Sequence, residues 1–227
     1  MQKDSIARWG QLVVCYAIGN TIVFGAGFFY LLSDNTYKHV VGTLMGMPAM
    51  AAQIQHHASS LPINDILHRL LGMSLLLVGL AQFSTRLRRG HPSLHRTLGR
   101  IYLILGVVTV TSGLVFAFTS PLAGIGEKVF VTSVAMGLAF ILTRAFWLAL
   151  KGQYSKHREW MIRGFALFLF VTVQRLLYFP FALLTDWPEP SIFEFTGWLS
   201  TAIVLIAAET WINLSRNSAA QAQEVGS

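Results

Sequence analysis

The sequence predicts an all-α membrane protein: one transmembrane domain over residues 1–227, with six spans and a short outer interfacial or re-entrant segment. Hydrophobic residues make up 54% of the chain and charged residues only 12%, whereas soluble domains carry about 25% charged residues. The mean hydropathy is +0.55. The apolar residues also fall into runs of about 20, the length that a helix needs to cross a bilayer.

The predicted spans follow from these apolar runs, taken in chain order. They are 11–32, 66–84, 98–120, 129–150, 161–184 and 193–214. The first run is too long for the core of a signal peptide and lacks a clear cleavage site, so we expect it to be retained. Segment 40–54 is apolar but too short to span comfortably and is interrupted by Pro48, which predicts an interfacial or re-entrant position.

The connector at residues 86–100, RLRRGHPSLHRTLGR, orients the spans. Its five arginines and two histidines belong in water or among lipid headgroups, and cationic loops stay on the cytoplasmic side. With six spans, both termini are then cytoplasmic as well. Twelve basic residues flank the spans on that side: Lys3, Arg8, Arg86, Arg88, Arg89, Arg96, Arg100, Lys151, Lys156, Arg158, Arg163 and Arg216. Only three are outside: Lys38, Arg69 and Lys128.

The net charge of +7 does not indicate a nucleic-acid partner, because the basic residues alternate with apolar spans and form no continuous basic face. The expected partner is the lipid bilayer. The sequence contains no phosphate-binding glycine loop, no GxSxG, no HExxH and no CxxC. It therefore leaves enzymatic activity open, with catalysis by side chains alone the least supported function.

Three spans carry a histidine at one end, followed by small or apolar residues at helical spacing. The three stripes are His68, Gly72, Leu75, Gly79 and Gln82; His95, Gly99, Tyr102, Gly106 and Gly113; and His157, Met161, Gly164, Phe168 and Arg175. We expect these faces to point into the bundle. Glycine at this spacing allows either close helix packing or the approach of a flat ligand.

His95 and His157 lie at the same predicted depth, and an arginine directly follows each of them. One interpretation is axial ligation of a b-type haem, with Arg96, Arg100 or Arg158 near the propionates. The other is that both histidines bond the ends of neighbouring helices or lipid phosphate. His68 is a further cofactor-binding candidate on the outer side, where a haem would need a second ligand that the sequence does not plainly provide.

Charges inside spans are costly, about 2.5–3.5 kcal/mol at the bilayer centre. Arg175 lies some fourteen residues beyond Met161, or about 21 Å into the span. We expect it either to bind a carboxylate, a haem propionate or a polar lipid head, or to bond backbone carbonyls near Pro180. Gln174 and Gln82 are further candidate ligand-binding groups. Nearer the cytoplasmic surface, Arg144 and Glu209 are expected to pair across the fourth and sixth spans.

Residues 68–175 resemble a family of uncharacterised membrane proteins, domain of unknown function 2306. The shared pieces are His68 with Gly72, Gln82-Phe83, Leu87-Arg88, His95-Arg96, Gly99-Arg100-Ile101-Tyr102, His157-Arg158, Trp160-Met161-Ile162-Arg163 and Arg175. The resemblance implies a multi-pass protein of a bacterial inner membrane, with a core at about 66–184. It carries no established activity, but it suggests that His68, His95, His157 and Arg175 form one recurring constellation.

Three function classes follow. The first is a b-type haem protein that transfers electrons to a membrane redox partner. The second is a small transporter or a lipid- or anion-binding protein, and the third is an accessory subunit of a membrane complex. A cuprous site is less favoured, because the methionines and histidines of segment 40–57 match no tight ligand spacing.

Overall fold

The computed structural model describes residues 59–120 and 124–224, together with residues 48, 52 and 56. From residue 61 onward the described chain forms seven helices, which we number in chain order. They are α1 Pro62–Gln82, α2 Thr85–Gly90, α3 Pro92–Thr119, α4 Ile125–Leu150, α5 Tyr154–Phe168, α6 Phe170–Leu184 and α7 Glu189–Glu224.

Five segments of the described chain are long and apolar enough to cross a bilayer. They are Pro62–Gln82, Pro92–Thr119, Ile125–Leu150, Tyr154–Leu184 and Glu189–Asn217. They confirm membrane-length apolar helices at five of the six predicted spans, and each helix begins one to two turns earlier than hydropathy suggested. The early starts use polar connector residues, with proline in the first turn of α1 and α3, where its missing N–H costs nothing. The predicted span 11–32 lies outside the described residues, as does segment 40–54 apart from two isolated positions.

The basic connector 86–100 is helical rather than extended. Ser84 Oγ accepts a hydrogen bond from the Leu87 N–H at 3.2 Å and caps α2, and α3 begins directly after His91. We call the end of the bundle where α1 ends, α3 begins and α4 meets α5 the basic end. The end where α1 and α4 begin and α3 ends is the opposite end.

α1 and α3 pack antiparallel along the two predicted stripes. At each level a glycine or small side chain on one helix receives a side chain of the other, so the backbones approach closely. The facing pairs, from the opposite end to the basic end, are His68–Ser112, Gly72–Thr109, Leu75–Gly106, Gly79–Tyr102 and Gln82–Gly99. We call this contact the α1–α3 seam. It confirms that these two faces point into the bundle.

The main core of the described bundle lies beside this seam. Its buried members are Leu75, Tyr102, Leu142, Phe165, Leu169 and Val204. A second cluster around Phe130 joins α4 to α5. Large apolar side chains are exposed on the outer surface of the bundle, among them Leu77, Ile104, Phe140 and Ile206. A lipid-facing surface has this composition, because hydrocarbon chains solvate leucine and phenylalanine as well as a protein interior does.

The span at residues 154–184 is interrupted at Leu169, between α5 and α6. The Leu169 N–H is shared between the carbonyls of Phe165 at 3.2 Å and Ala166 at 2.9 Å. The Thr172 N–H then donates to the Leu169 carbonyl at 3.0 Å, three residues back instead of four. Such a tight turn changes the rotational phase of the residues that follow it.

After this change of phase Gln174 faces the interior of the bundle, whereas Arg175, which was predicted to face inward, does not. Gln174 is only 1% exposed and donates from Nε2 to the Phe193 carbonyl at 3.1 Å. Arg175 lies on the exposed side of α6. The expectation that Arg175 continues the inward stripe of His157 and Gly164 is therefore wrong. The prediction assumed 3.6 residues per turn along the whole span, and this assumption fails at the tight turn at Leu169.

Candidate functional site at the basic end

His157 lies in the first turn of α5, half-buried against the end of α4. Its Nδ1–H donates to the Ala145 carbonyl at 2.8 Å. A carbonyl can only accept, so this bond places the proton of the neutral imidazole on Nδ1 and leaves a lone pair on Nε2. The contact is one of the two roles expected from the sequence, a histidine that bonds the end of a neighbouring helix.

His95 occupies the equivalent position in α3, where the end of α1 approaches it. The Gln82 amide is oriented so that its nitrogen and its oxygen both have hydrogen-bond partners. In this orientation Gln82 Nε2 lies 3.2 Å from His95 Nδ1 and 3.3 Å from the His95 carbonyl. Its oxygen accepts from the Gly99 N–H at 3.2 Å. His95 Nδ1 is then the acceptor, so Nε2 carries the proton. The two imidazoles therefore present different atoms: an N–H donor from His95 and a lone pair from His157.

Two arginines complete the basic end. Arg88 of α2 and His157 both lie near enough to His95 to interact with it electrostatically, and Arg88 interacts in the same way with Arg158. Both residues are exposed overall, and neither forms an ion pair with a described residue. We call the four residues Arg88, His95, His157 and Arg158 the basic cluster.

The acidic residue that follows the basic cluster in the chain is already neutralised. Glu159 accepts two hydrogen bonds from Arg216 of α7, at 2.7 Å and 2.5 Å. A small cleft next to this pair is lined by Ser155, Arg158, Glu159, Ile162, Ile212, Ser215 and Arg216. The basic cluster thus keeps an excess of positive charge at the surface of the bundle.

The sequence predicted three members of this cluster, His95, His157 and Arg158, and also Gln82, which bonds His95, but it missed Arg88. Arg96 and Arg100 are exposed on α3 and make no described ion pair, so their predicted role stays a prediction. A signal for Arg88 was present, since Leu87-Arg88 is one of the pieces that carry the family resemblance. Arg88 was missed because the connector was expected to be a loop. Only the helix α2 determines which of its arginines faces the bundle.

His68 lies at the opposite end, in the α1–α3 seam. Its Nδ1 is 2.9 Å from Ser112 Oγ, whose own proton goes to the Thr109 carbonyl at 2.9 Å. Asn64 Nδ2 donates to the Ser112 carbonyl at 3.2 Å, and Phe116 packs edge-on against the imidazole at 5.2 Å. His68 is therefore anchored by hydrogen bonds to α3.

Arg175 shares this end, where it interacts electrostatically with His68 and Tyr178. The fourteen residues from His68 to Gln82 correspond to about 21 Å along α1. The four residues suggested as one constellation thus divide into two groups: His95 and His157 at the basic end, and His68 and Arg175 at the opposite end. The predicted role of Arg175 as an anion ligand stays a prediction.

The glycines of the stripes serve helix packing rather than the approach of a flat ligand. A Cβ at Gly79 would lie 2.6 Å from the Phe165 ring and 2.9 Å from Tyr102. A Cβ at Gly106 would lie 3.3 Å from both Leu142 and Phe168. Side chains of the described helices already fill the space at these two glycines, so their contacts do not support the approach of a flat ligand there.

No group of three or more His, Cys, Asp or Glu side chains converges among the described residues. A b-type haem held by two imidazoles needs only a histidine pair, so this observation bears on other metal centres. The expected haem ligands His95 and His157 lie close enough to interact. The glycines that follow them on α3 and α5 contact side chains of neighbouring helices and do not line a cavity between the two histidines.

The prediction of an ion pair between Arg144 and Glu209 is wrong. Glu209 accepts from Arg163 of α5, at 2.5 Å from Nε and 2.9 Å from Nη2. Arg144 instead stacks over Trp147 of its own helix, 4.7 Å from the ring centroid. The prediction considered only the depth of each residue in the membrane. At this depth α7 contacts α5, and Arg163 lies on the face of α5 that faces α7.

Residues 66–212, more than half of the chain, match the model of the family described as Predicted membrane protein (DUF2306). The match includes both histidines of the basic cluster, the α1–α3 seam and most of α7. It extends beyond the core expected at residues 66–184. No curated protein and no solved structure matches the chain. The chain therefore belongs to the DUF2306 family of predicted membrane proteins.

Proposed function

We propose that this protein binds an anionic group at its basic end, a phosphate or carboxylate at the level of the lipid headgroups. The single observation that carries the proposal is the basic cluster, in which two guanidiniums and two imidazoles lie together, and the described carboxylate that interacts with Arg158, that of Glu159, is already paired with Arg216. Uncompensated positive charges repel one another, so a bound anion would stabilise this arrangement. The sequence interpretation of a lipid- or anion-binding membrane protein is thereby made specific to one site.

Each side chain has a distinct role in this site. Arg88 and Arg158 supply charge and planar forks of N–H donors that match two oxygens of a phosphate. His95 adds a neutral Nε2–H donor, held in place by Gln82. His157 offers an Nε2 lone pair, which accepts a hydrogen bond from a protonated phosphate oxygen. The cluster therefore suits a phosphate that still carries a proton.

The surroundings of the basic cluster support a position at a membrane surface. Trp147, near the end of α4, carries Arg144 at 4.7 Å and Lys151 at 3.6 Å over its ring. Tryptophan with basic neighbours is typical of the headgroup level of a bilayer. An anion that reaches the basic cluster can come from a lipid headgroup or from solution, and the chemistry of recognition is the same for both sources.

The test uses purified protein in nanodiscs of phosphatidylcholine doped with phosphatidic acid, with bound lipid counted by native mass spectrometry. A parallel titration in phosphatidylcholine alone uses inorganic phosphate. We expect Arg158→Leu and Arg88→Leu each to weaken binding about tenfold, and added salt to weaken it in the wild type. Arg96→Leu, an exposed arginine of α3 outside the cluster, is the matched control. Equal occupancy in wild type and both cluster variants would refute the proposal.

A second candidate function, electron transfer by b-type haem, is favoured by the bond from His157 to Ala145. Histidines that ligate metals commonly donate their other ring N–H to a backbone carbonyl, and this leaves Nε2 free for the metal. His95 would match it only if the Gln82 amide turned its oxygen toward Nδ1. Arg88 and Arg158 would then pair with the propionates, and the iron would supply one-electron chemistry.

The haem candidate is decided by a reduced-minus-oxidised absorption spectrum of protein expressed with adequate haem supply. A Soret band and an α-band that vanish in His95→Ala and His157→Ala, but persist in His91→Ala, would establish the pair. His91 is the control because it is exposed and lies between α2 and α3. A colourless folded protein leaves anion binding as the function of the basic cluster.

A further inference from the structure

The cleft between α5 and α7 at the basic end shares Arg158 with the basic cluster. The rest of its lining consists of Ser155, Glu159 and Ile162 from α5 and Ile212, Ser215 and Arg216 from α7. Its volume is about 130 Å³, whereas a single water molecule needs about 10–15 Å³. A guanidinium of the anion site therefore also borders a space large enough for part of an organic molecule.

The lining of this cleft changes from polar to apolar with depth. α5 begins at the basic end, and α7 runs toward it, because Arg216 pairs with Glu159 there. The two serines of the lining therefore lie nearer to the basic end than the two isoleucines. Both isoleucines are buried, while Ser155 is exposed and Ser215 is half-buried. A phospholipid has the same order, with its phosphate at the surface of the bilayer and its acyl chains beneath.

Two ion pairs hold α5 against α7 beside the cleft. Arg216 donates two hydrogen bonds to Glu159 near the outer part of the cleft. Arg163 donates two to Glu209 deeper in the bundle. Each of these carboxylates thus has its own arginine, and Arg158 stays available to a ligand. Helices fixed in this way form the cleft before a ligand binds, which lowers the conformational cost of binding.

The serine hydroxyls of the cleft can donate to a ligand. Elsewhere in the bundle, Ser74 and Ser133 donate their hydroxyl protons to carbonyls of their own helices, both at 2.8 Å. The side chains of Ser155 and Ser215, which line the cleft, form no hydrogen bond with a described residue. Their O–H groups suit ester and phosphate oxygens. A glycerol phosphate carries such oxygens at the boundary between its phosphate and its chains.

We propose that the ligand of the basic end is a phospholipid whose phosphate is a monoester, with the phosphate at the basic cluster and the glycerol and first chain carbons in the α5–α7 cleft. The inference rests on the anion binding proposed above and assigns the anion to one source. A free phosphate would occupy the basic cluster alone and leave the isoleucines of the cleft in contact with water. A lipid replaces that water with apolar contact.

The chemistry of the basic cluster favours the monoester over a diester. A phosphate monoester carries about −1.5 to −2 charges at pH 7, because its second pKa is about 6, so part of the population keeps a proton. The Nε2 lone pair of His157 accepts a hydrogen bond from that proton, and Arg88 and Arg158 bind the charged oxygens. A diester such as phosphatidylglycerol has one charge and no phosphate proton at this pH. It therefore makes fewer of these contacts.

The experiment titrates the purified full chain in phosphatidylcholine nanodiscs and counts bound ligand by native mass spectrometry. The ligands are phosphatidic acid, phosphatidylglycerol with the same chains and inorganic phosphate. We expect phosphatidic acid to bind at least tenfold more tightly than either of the others. Ser215→Leu and Ser155→Leu should each weaken its binding about fivefold, because the longer side chain occupies the outer part of the cleft. Asn213→Leu is the matched control, since Asn213 is exposed on α7 and does not line the cleft.

Three results would overturn the inference and leave the proposed function in place. They are Arg158-dependent binding of inorganic phosphate as tight as that of phosphatidic acid, unchanged binding of phosphatidic acid in both serine variants, and an equal loss in Asn213→Leu. Binding of none of the three ligands would overturn the proposed function as well. The two serines lie on different helices, so either variant tests the cleft, and melting temperatures of the same preparations show that lost binding is not lost fold.

Discussion

The two ends of the bundle each hold an anchored histidine, but their charges are arranged in opposite ways. At the opposite end Arg69 is paired with Asp65 one turn away, with Nε and Nη2 at 2.8 Å and 2.7 Å from the same carboxylate oxygen. At the basic end neither Arg88 nor Arg158 forms an ion pair with a described residue, and the carboxylate beside Arg158, that of Glu159, is paired with Arg216. The difference shows that a histidine beside an arginine does not by itself identify a ligand site. What distinguishes a binding site is positive charge that the protein leaves uncompensated.

The largest expected effect concerns packing at two levels of the α1–α3 seam. Gly79→Ala should destabilise the protein by about 1–3 kcal/mol, because its Cβ meets the Phe165 and Tyr102 rings too closely. Gly72→Ala should be nearly neutral, since its Cβ would lie 3.6 Å from Thr109, an ordinary contact. Thermal unfolding of both variants in the same detergent is the measurement. Similar melting temperatures would show that the seam is looser than described.

The charge difference between the ends predicts a difference in anion affinity. Arg158→Leu should weaken the binding of phosphatidic acid about tenfold, which is about 1.4 kcal/mol. Arg69→Leu should leave it unchanged, because Asp65 already neutralises that guanidinium. Occupancy counted by native mass spectrometry over a range of lipid fractions gives both affinities. A loss in Arg69→Leu as large as that in Arg158→Leu would make the comparison of the two ends wrong.

The anchoring of His68 predicts a smaller effect on stability. Ser112→Ala removes the acceptor of the imidazole N–H, and an interhelical hydrogen bond of this kind contributes about 0.6 kcal/mol in a membrane protein. A modest drop in melting temperature is therefore expected. Ser133→Ala is the control, because Ser133 is exposed and bonds only the Val129 carbonyl of its own helix. An equal drop in the control would remove the special role of Ser112.

The smallest expected effect is that of Tyr102→Phe on stability. The Tyr102 hydroxyl has no hydrogen-bond partner among the described residues, so its removal breaks no described hydrogen bond and removes a buried unpaired polar group. We expect a melting temperature equal to the wild type or slightly higher, in contrast to Ser112→Ala. A clear loss of stability would mean that the hydroxyl does find a partner within the bundle.

Local pattern was sufficient for much of the fold. Five spans appear where apolar runs predicted them, and the faces of α1 and α3 that pack together are the two stripes found from helical spacing. Of the site, His95, His157, Gln82 and Arg158 were all found, because each lies within two turns of a helix end that the charge pattern marks. These features depend on hydropathy and on the helical repeat of 3.6 residues per turn. Both are properties of short stretches of sequence and do not require contacts with distant residues.

By itself, then, the sequence determined the class of protein, the positions of the described spans and which faces of α1 and α3 turn inward. Only the tertiary structure decided that Gln174 rather than Arg175 is buried, that Glu209 pairs with Arg163 rather than Arg144, and that Arg88 joins the histidines. Each of these outcomes depends on the rotation of one helix relative to another. The turn at Leu169 and the position of α2 set that rotation. The spacing of residues along a single helix does not predict it.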